Sequence, residues 1–515
     1  MDASLNPVRM SDQAVAVIGG GPAGLVAARY LKKHGFAPIV FEASERIGGQ
    51  WNTASPMSGV WPGMRTNTSR ILTSFGDFDH GAGTSVYPSQ ADMLAYLEGY
   101  AEASGLDLCI RTSMRVEAVE RDSGGGWVVR SRRSDTPVTE IYARVVVATG
   151  RYTVPDTPAI AGLATFAGVT GAIHSSQYPG ADAYRRKSVL VAGCSISALE
   201  IAGELAASGA ARVSVAMRRQ RYVLQKLLAG VPTDHVAFTR FAALAGKTLP
   251  PEALAAGMKN MVVSNCGSPE QFGAPKPDDN IFVAGLTQSQ NYLALVAEGR
   301  IHPRPWIERV DGGTIRFADG ASEAFDAIIL GTGFKLSLPF LSEAIAASLE
   351  LDDAHIGLHD HTLHPDLDGL AFIGLYPLIG PYLPVLELQA RWLAYLWAGV
   401  RPMPSVDAMK QGVAMTQARR GGPQEIPMHV LADLFAGNAG VKPDPAAWPA
   451  LERALWFGPL SPASFRLTGP DAEVDAPGRT ADAARAFGAI TSQTMTAEEA
   501  ERLKATLDMS GARAA

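Results

Sequence analysis

Cysteine is scarce in this chain: three in 515 residues (Cys109, Cys194, Cys266), with no CxxC or Cx4C pair among them. That excludes a disulfide framework, a cysteine zinc site and a dithiol relay. A basic surplus is missing too. Lys and Arg total 45 against 51 Asp and Glu, a formal net charge of −6, which is not the footprint of a nucleic-acid partner. Charged residues make up only 19% and hydrophobic ones 47%, so the chain is no disordered polymer. At roughly 100–200 residues per domain, its length predicts two to four domains.

Long apolar runs are also lacking, with one stretch that tests the membrane question. Gly369 to Leu386 carries no charge, but Pro377, Pro381, Pro384, Gly374 and Gly380 interrupt it. A spanning helix would break repeatedly there, so a buried strand and loop is expected. Met1 to Asp12 holds Arg9 with no apolar segment after it, and no secretory signal is expected. These features predict a cytoplasmic protein with no membrane or nucleic-acid partner, and they leave a homodimer open.

What the sequence does contain is a repeated strand–glycine loop–helix pattern. Ala14-Val-Ala-Val-Ile18 is a continuous apolar run leading into Gly19-Gly-Gly21-Pro-Ala23-Gly24. A helix from about Pro22 to His34 should stop at Gly35, and the next strand, Pro38 to Phe41, ends in Glu42. The second unit runs Ser188 to Ala192, then Gly193-Cys-Ser195-Ile196-Ser197-Ala198, a helix from about Ala198 to Ala207, and a strand ending in Met217-Arg218-Arg219. Two more short apolar strands, Arg144 to Gly150 and Ala327 to Gly333, end in Ala148-Thr149-Gly150 and Gly331-Thr332-Gly333. Between the last two features, Gly312 to Gly320 reads as a hairpin turning at Asp319-Gly320.

The first loop has the whole context of a dinucleotide site. Gly19 permits the tight turn, Gly21 lets the backbone approach a pyrophosphate, and Gly24 allows close helix–strand packing. The helix N-terminus then offers free N–H groups and a positive dipole end, and Glu42 can accept from a ribose diol. An acidic residue there disfavours a 2′-phosphate, so this site suits FAD or NAD. Gly48-Gly49-Gln50-Trp51 follows, with bare backbone able to run beside a flavin; Trp51 taken alone reads as core rather than cofactor wall. In the second loop Ser195 and Ala198 replace two glycines, yet its strand ends in two arginines. Guanidinium forks pair with a 2′-phosphate, which points to NADPH rather than NADH. Two nucleotide sites and no cysteine pair leave O2 as the natural electron acceptor.

These motifs, taken in order, resemble the flavin-containing monooxygenases, a class B flavoprotein family related to the Baeyer–Villiger monooxygenases. The resemblance runs from about Val15 to about Gly440 and rests on Gly19-x-Gly21-x-x-Gly24, Gly48-Gly49-x-Trp51, Arg65-Thr66-Asn67, Ala148-Thr149-Gly150, Gly193-x-Ser195-x-Ser197-Ala198-x-Glu200, Thr332-Gly333-Phe334 and Glu387-Leu-Gln389-Ala-Arg391-Trp392. The family's identifying stretch departs here. Five residues, not three, separate Phe166-Ala-Gly168 from His174, while Ser175 and Tyr178 keep register. His174 is either a linker residue or a participant in the chemistry. Tyr178-Pro179 echoes the Trp-Pro of the Baeyer–Villiger enzymes.

The resemblance implies an α/β fold with two Rossmann-like three-layer domains, the NADPH domain inserted into the FAD domain. It places FAD in 1–180 and 323–460 and NADPH in 181–322, with an insert near 220–280 and an appended tail at 461–515. It implies FAD contacts at Gly19, Gly21, Ala23, Gly24, Glu42, Gly49, Gln50, Trp51, Arg65, Thr66, Val116, Ala148, Thr149, Gly150 and Gln389. NADPH contacts are implied at Gly193, Ser195, Ile196, Ser197, Arg218, Arg219, Thr332 and Gly333. In that family NADPH reduces FAD, O2 adds as a C4a-hydroperoxide, and a soft nitrogen or sulfur takes one oxygen atom. Asn67 matches the asparagine beside the flavin. The expected substrate is a small amine or sulfide, with a ketone or simple NADPH oxidation as alternatives, and no metal is expected. The substrate pocket is expected near Gln288 to Tyr292 and Tyr376 to Pro384, and the 220–280 insert as a lid or an oligomer contact.

Overall fold

A computed structural model describes residues 7–422 and 424–514. The N-terminal stretch expected to lack a leader falls partly outside them, at residues 1–6.

The first unit forms as its sequence dictates. Strand β1 (Ala14–Ile18) is buried along its whole length, helix α1 (Pro22–Lys33) follows, and strand β2 (Ala37–Phe41) pairs parallel to β1 with Val17 opposite Val40. Strands buried on both faces need no polar alternation, which is why these read as apolar runs. β1 lies at the centre of a five-stranded parallel sheet in the order 370–372, 144–147, β1, β2, 110–111. A four-stranded sheet built on 114–121, 127–133 and 136–142 packs beside it, with a bulge between Val116 and Ala118.

The second unit repeats this architecture. Strand β3 (Ser188–Ala192), helix α2 (Ile196–Ala207) and strand β4 (Arg212–Met217) sit in a second five-stranded parallel sheet, ordered 171–174, 327–330, β3, β4, 301–305. Every strand of this sheet lies between 144–147 and 370–372 of the first, so the second Rossmann-like unit is inserted into the first.

Three expectations need correction. Strands 171–174 and 327–330, assigned to the FAD side, pair in the second sheet, with Val191 opposite Ile329. Their short apolar runs match either sheet, and only pairing decides. Secondly, the 220–280 insert is no free-hinged lid. Its strand 222–224 pairs with 286–288, and its helix 240–248 packs on helices 428–439 and 497–514. Thirdly, residues from 461 are no appendage. Arg466 is fully buried and reaches Tyr30 on α1 and Glu387 on helix α3 (Leu383–Trp397). Asp471, also buried, takes Lys33 at 2.6 Å and the Tyr395 hydroxyl at 2.5 Å.

Other local readings agree with the structure. Thr496 and Glu499 cap the last helix reciprocally, at 2.8 and 3.1 Å. The uncharged 369–386 stretch becomes strand 370–372, a loop and the start of α3. Among the described residues no helix is long and apolar enough to cross a membrane.

Candidate active site

The first glycine loop is built from backbone in near contact. Gly19 has φ +112°, and a Cβ there would sit 2.5 Å from the Ala148 carbonyl oxygen. At Gly24 a Cβ would fall inside the carbonyl of Gly19. Gly21 and Gly49 face each other, so a Cβ on Gly49 would lie 2.9 Å from Gly21 Cα. Two stretches of bare backbone thus meet where α1 begins. Pro22 brings no N–H to that first turn, and the Ala23 and Gly24 amides precede the first i→i−4 bond, Leu25 N–H to Gly21 O. Glu42 is buried at the end of β2 and accepts the Gly20 N–H at 2.8 Å and the Ser44 N–H at 2.7 Å. Each carboxylate oxygen keeps acceptor capacity for a diol.

The second loop solves the same steric problem differently. Gly193 has φ +133°, and Ala198 occupies the third glycine position. What accommodates its methyl is Gly331 on the neighbouring strand end, where a Cβ would stand 2.7 Å from that of Ala198. Sequence pattern alone missed this residue. Ser195 is the N-cap of α2 in extended backbone and spends no side-chain bond on the helix, leaving its hydroxyl, with Ile196 and Ser197 behind it, at the strand end. Arg218 and Arg219 are exposed at the end of β4, and the Arg218 guanidinium stacks on Trp306 at 4.8 Å. Stacking keeps its fork extended and outward. Glu200, one turn along α2, pairs with buried Lys226 of the insert at 2.6 Å.

The segment between the loops carries Asn67. Trp61 Nε1–H donates to Glu204 of α2 at 2.9 Å, and Gln90 Nε2 donates to the Trp51 carbonyl at 2.5 Å, so this segment is tied to both units. Thr66 is buried, its N–H bound to Pro88 O at 2.9 Å, while exposed Arg65 reaches the Tyr87 carbonyl at 3.2 Å. Asn67 Oδ1 is buried without a hydrogen-bond partner among the described residues, and so is Thr149 Oγ1. Buried acceptors are normally satisfied. Orphans at 67 and 149, with bare backbone at 21 and 49, fit a bound dinucleotide with polar edges.

Several expected contacts turn out to be engaged within the protein. Gln389 is fully buried; its Oε1 takes the Gly374 N–H at 3.0 Å, and its Nε2 faces Thr362 Oγ1 at 2.9 Å and the Phe372 carbonyl at 3.1 Å. It holds the Gly374 loop rather than presenting a free amide. Gln50 likewise bonds Met57 O, Tyr152 O and the Gly59 N–H. Trp51 is half-buried against the first core, and Val116 lies at the bulge of the four-stranded sheet. Thr332 donates to Asp156 O at 2.6 Å, which makes it a stitch between the two linkers. Gly150 and Gly333 have positive φ with open space where a Cβ would be. Of the expected pocket segments, Tyr292 and Tyr376 are buried with hydroxyls that have no partner among the described residues, and Tyr382 OH lies 3.0 Å from Tyr152 OH.

His174 is a linker residue. Its Nδ1 accepts the Ser176 N–H at 3.1 Å, which leaves the proton on Nε2 for the Gly333 carbonyl at 2.9 Å. Burial lowers its pKa. Beside it lies a cavity of about 790 Å³ lined by the linkers, including Pro155, Ile160, Phe166, Ser176 and Phe334.

Comparison with known proteins adds the following. The family model described as flavin-binding monooxygenase-like matches residues 12–499. Dimethylaniline monooxygenase [N-oxide-forming] 2 of Oryctolagus cuniculus is 26% identical over 482 residues, covering 88% of this chain and 89% of its own length. S-allyl-L-cysteine S-oxygenase from Allium sativum superposes with a TM-score of 0.61 at 20% identity, covering 96% and 98% of the two chains. NADP+-bound cyclohexanone monooxygenase from Rhodococcus sp. Phi1 superposes with a TM-score of 0.62 at 16% identity, covering 84% and 97%. At those identities the two structures speak for the fold.

Proposed function

The chain belongs to the flavin-binding monooxygenase-like family, FAD- and NADPH-dependent oxidoreductases acting on small molecules with O2, and within it we propose oxygenation of a soft nitrogen or sulfur. The observation that carries this reading is the Asn67 amide, its oxygen buried and unpartnered on the segment tied to both glycine-loop units. An amide both donates and accepts, so it can bridge two ligand groups without changing charge. When bound and reduced, the flavin supplies the activated oxygen, and the protein supplies position and dryness.

Each element then has a task. The α1 N-terminus with Gly19, Gly21 and Gly24 would hold the FAD pyrophosphate, and Glu42 its ribose. The α2 N-terminus would hold the second pyrophosphate, with Arg218 and Arg219 on the 2′-phosphate. A soft nucleophile needs little acid–base help, which agrees with His174 being committed to the linker. The rabbit relative is an N-oxide-forming monooxygenase and the garlic one an S-oxygenase, which supports the same class. Tyr178-Pro179 favours a second reading, Baeyer–Villiger oxidation of a ketone.

Paired turnover with a tertiary amine or thioether and with a cyclic ketone separates the two. Asn67→Ala should keep FAD and oxidise NADPH while releasing peroxide in place of product. Normal product yield from that variant would overturn the assignment.

A further inference from the structure

Ser69, two residues beyond Asn67, is fully buried; its carbonyl takes the Thr73 N–H at 2.8 Å, and its N–H and hydroxyl both go to one turn of the 220–280 insert. Its N–H donates to Asp234 Oδ2 at 2.7 Å, and its Oγ lies 3.1 Å from His235 Nε2. On either side the chain is bound elsewhere: Thr66 N–H to Pro88 O at 2.9 Å, and Arg70 N–H to Val86 O at 2.8 Å. Between those two anchors the segment also folds on itself, with Thr68 Oγ1 2.7 Å from Thr73 Oγ1, and the side chains from distant sequence that bind it are those of the insert.

The grip is itself held. Thr233 N–H donates to Lys226 O at 2.9 Å and its hydroxyl to Gln225 O at 2.5 Å, so the turn bearing Asp234 and His235 is closed on its own hairpin. The His235 ring meets Phe487 edge-on at 5.2 Å, and Arg70 lies over that same ring at 5.6 Å. Asp234 and His235 are both almost completely buried, and their outer atoms, Oδ1 and Nδ1, have no partner among the described residues. Burying two titratable side chains is costly, and packing alone would be better served by apolar ones. Here they are spent on a single serine beside Asn67.

We propose that Asp234 and His235 are positioning residues for Asn67, holding Ser69 by its amide and its hydroxyl so that the Asn67 amide faces the cofactors. This rests on the monooxygenase reading above and deepens it. The insert therefore controls coupling: a loosened Ser69 lets the amide turn, and NADPH oxidation then ends in peroxide.

The experiment uses full-length holoenzyme and compares Ser69→Ala, His235→Phe, His235→Gln and the Ser69→Ala/His235→Phe pair, measuring peroxide formed per product with a thioether substrate. Loss of one hydrogen bond should raise that ratio roughly 2- to 13-fold in Ser69→Ala and in His235→Phe. The double variant should be no worse than either single one, because both remove the same bond. His235→Gln, which keeps a polar atom near the Nε2 position, should restore coupling. An additive double variant, or a His235→Phe enzyme as well coupled as wild type, overturns the proposal.

A second measurement needs no turnover. In cofactor-free protein, Asp234→Ala should speed amide exchange across residues 66–72 and leave α1 unchanged; equal exchange there overturns the proposal. If wild type oxygenates none of the substrates, the monooxygenase reading fails while the exchange result still decides whether the insert holds Ser69.

Discussion

Replacing Arg466 by Met should cost more than most buried substitutions, because the loss falls on charges and not on shape. The guanidinium has no exposed surface. It meets Tyr30 OH, Glu387 Oε1 at 2.5 Å, Asp77 Oδ2 at 3.4 Å, Glu473 Oε1 at 3.7 Å and the Asp471 carbonyl at 3.3 Å. Asp77 keeps Arg29 when Arg466 is gone. Among the described residues Glu387 keeps only neutral donors, the Gly76 N–H at 2.6 Å and Tyr30 OH at 2.9 Å, and becomes a buried anion without a cation. Breaking such a pair costs about 3–5 kcal/mol, whereas replacing both members is far milder. The damage lies on α1, the helix that starts at the first glycine loop, and on α3 packed against it, so it should appear as early loss of flavin. Urea unfolding followed by flavin release and by far-UV circular dichroism would test this, since a chain with two nucleotide units need not unfold in one step. We expect the flavin-release transition of Arg466→Met to shift by about 3–5 kcal/mol and that of Arg466→Met/Glu387→Leu to recover most of it. A shift below about 1 kcal/mol in the single variant would refute the reasoning.

Further outcomes follow from the two loops and the insert. Arg218→Ala should lower kcat/KM for NADPH by roughly 10- to 150-fold, the worth of a charged hydrogen bond, and leave NADH nearly untouched; an unchanged NADPH-to-NADH ratio would rule out the phosphate role. Gly331→Ala should disturb NADPH binding because its methyl meets that of Ala198, and adding Ala198→Gly should restore part of it, the Ala198 Cα still lying 3.0 Å away; a KM measurement with no rescue at all counts against the packing argument. Stability should also depend on pH through the insert. Burial pushes Asp234 up to about 6 from 3.8, so the folded chain keeps a proton there that the unfolded chain has lost, and stability falls as pH rises across that interval by about 3 kcal/mol. Burial pushes His235 down to about 4 from 6.5, so the unfolded chain alone takes up a proton below 6.5, and stability falls by about 3 kcal/mol as pH drops to 4. The two offset each other in the wild type. Thermal melts of Asp234→Asn should therefore show stability rising from pH 4 to 6.5, and those of His235→Gln the reverse; flat profiles in both would contradict the assigned ionisation.

What the sequence determined by itself is what short-range chemistry dictates. Apolar runs at 14–18 and 188–192, glycines at 19, 24 and 193, and Glu42 or Arg218-Arg219 at the following strand ends specify two βαβ units, because each constraint acts within some thirty residues. Asn67 was legible through an ordered motif, though nothing in that motif told which of its atoms would be buried. Tertiary structure decided the rest, for one physical reason: a hydrogen bond or ion pair between distant residues leaves no period in the sequence. Strand 327–330 has an apolar run suited to either sheet, and pairing with 188–192 alone assigns it. Arg466 lies in a stretch that reads as an appended tail, and only the fold sets Glu387 and Tyr30 around it. Gly331 matters only because Ala198 stands opposite, and Asp234 and His235 only because Ser69 lies between them and Asn67.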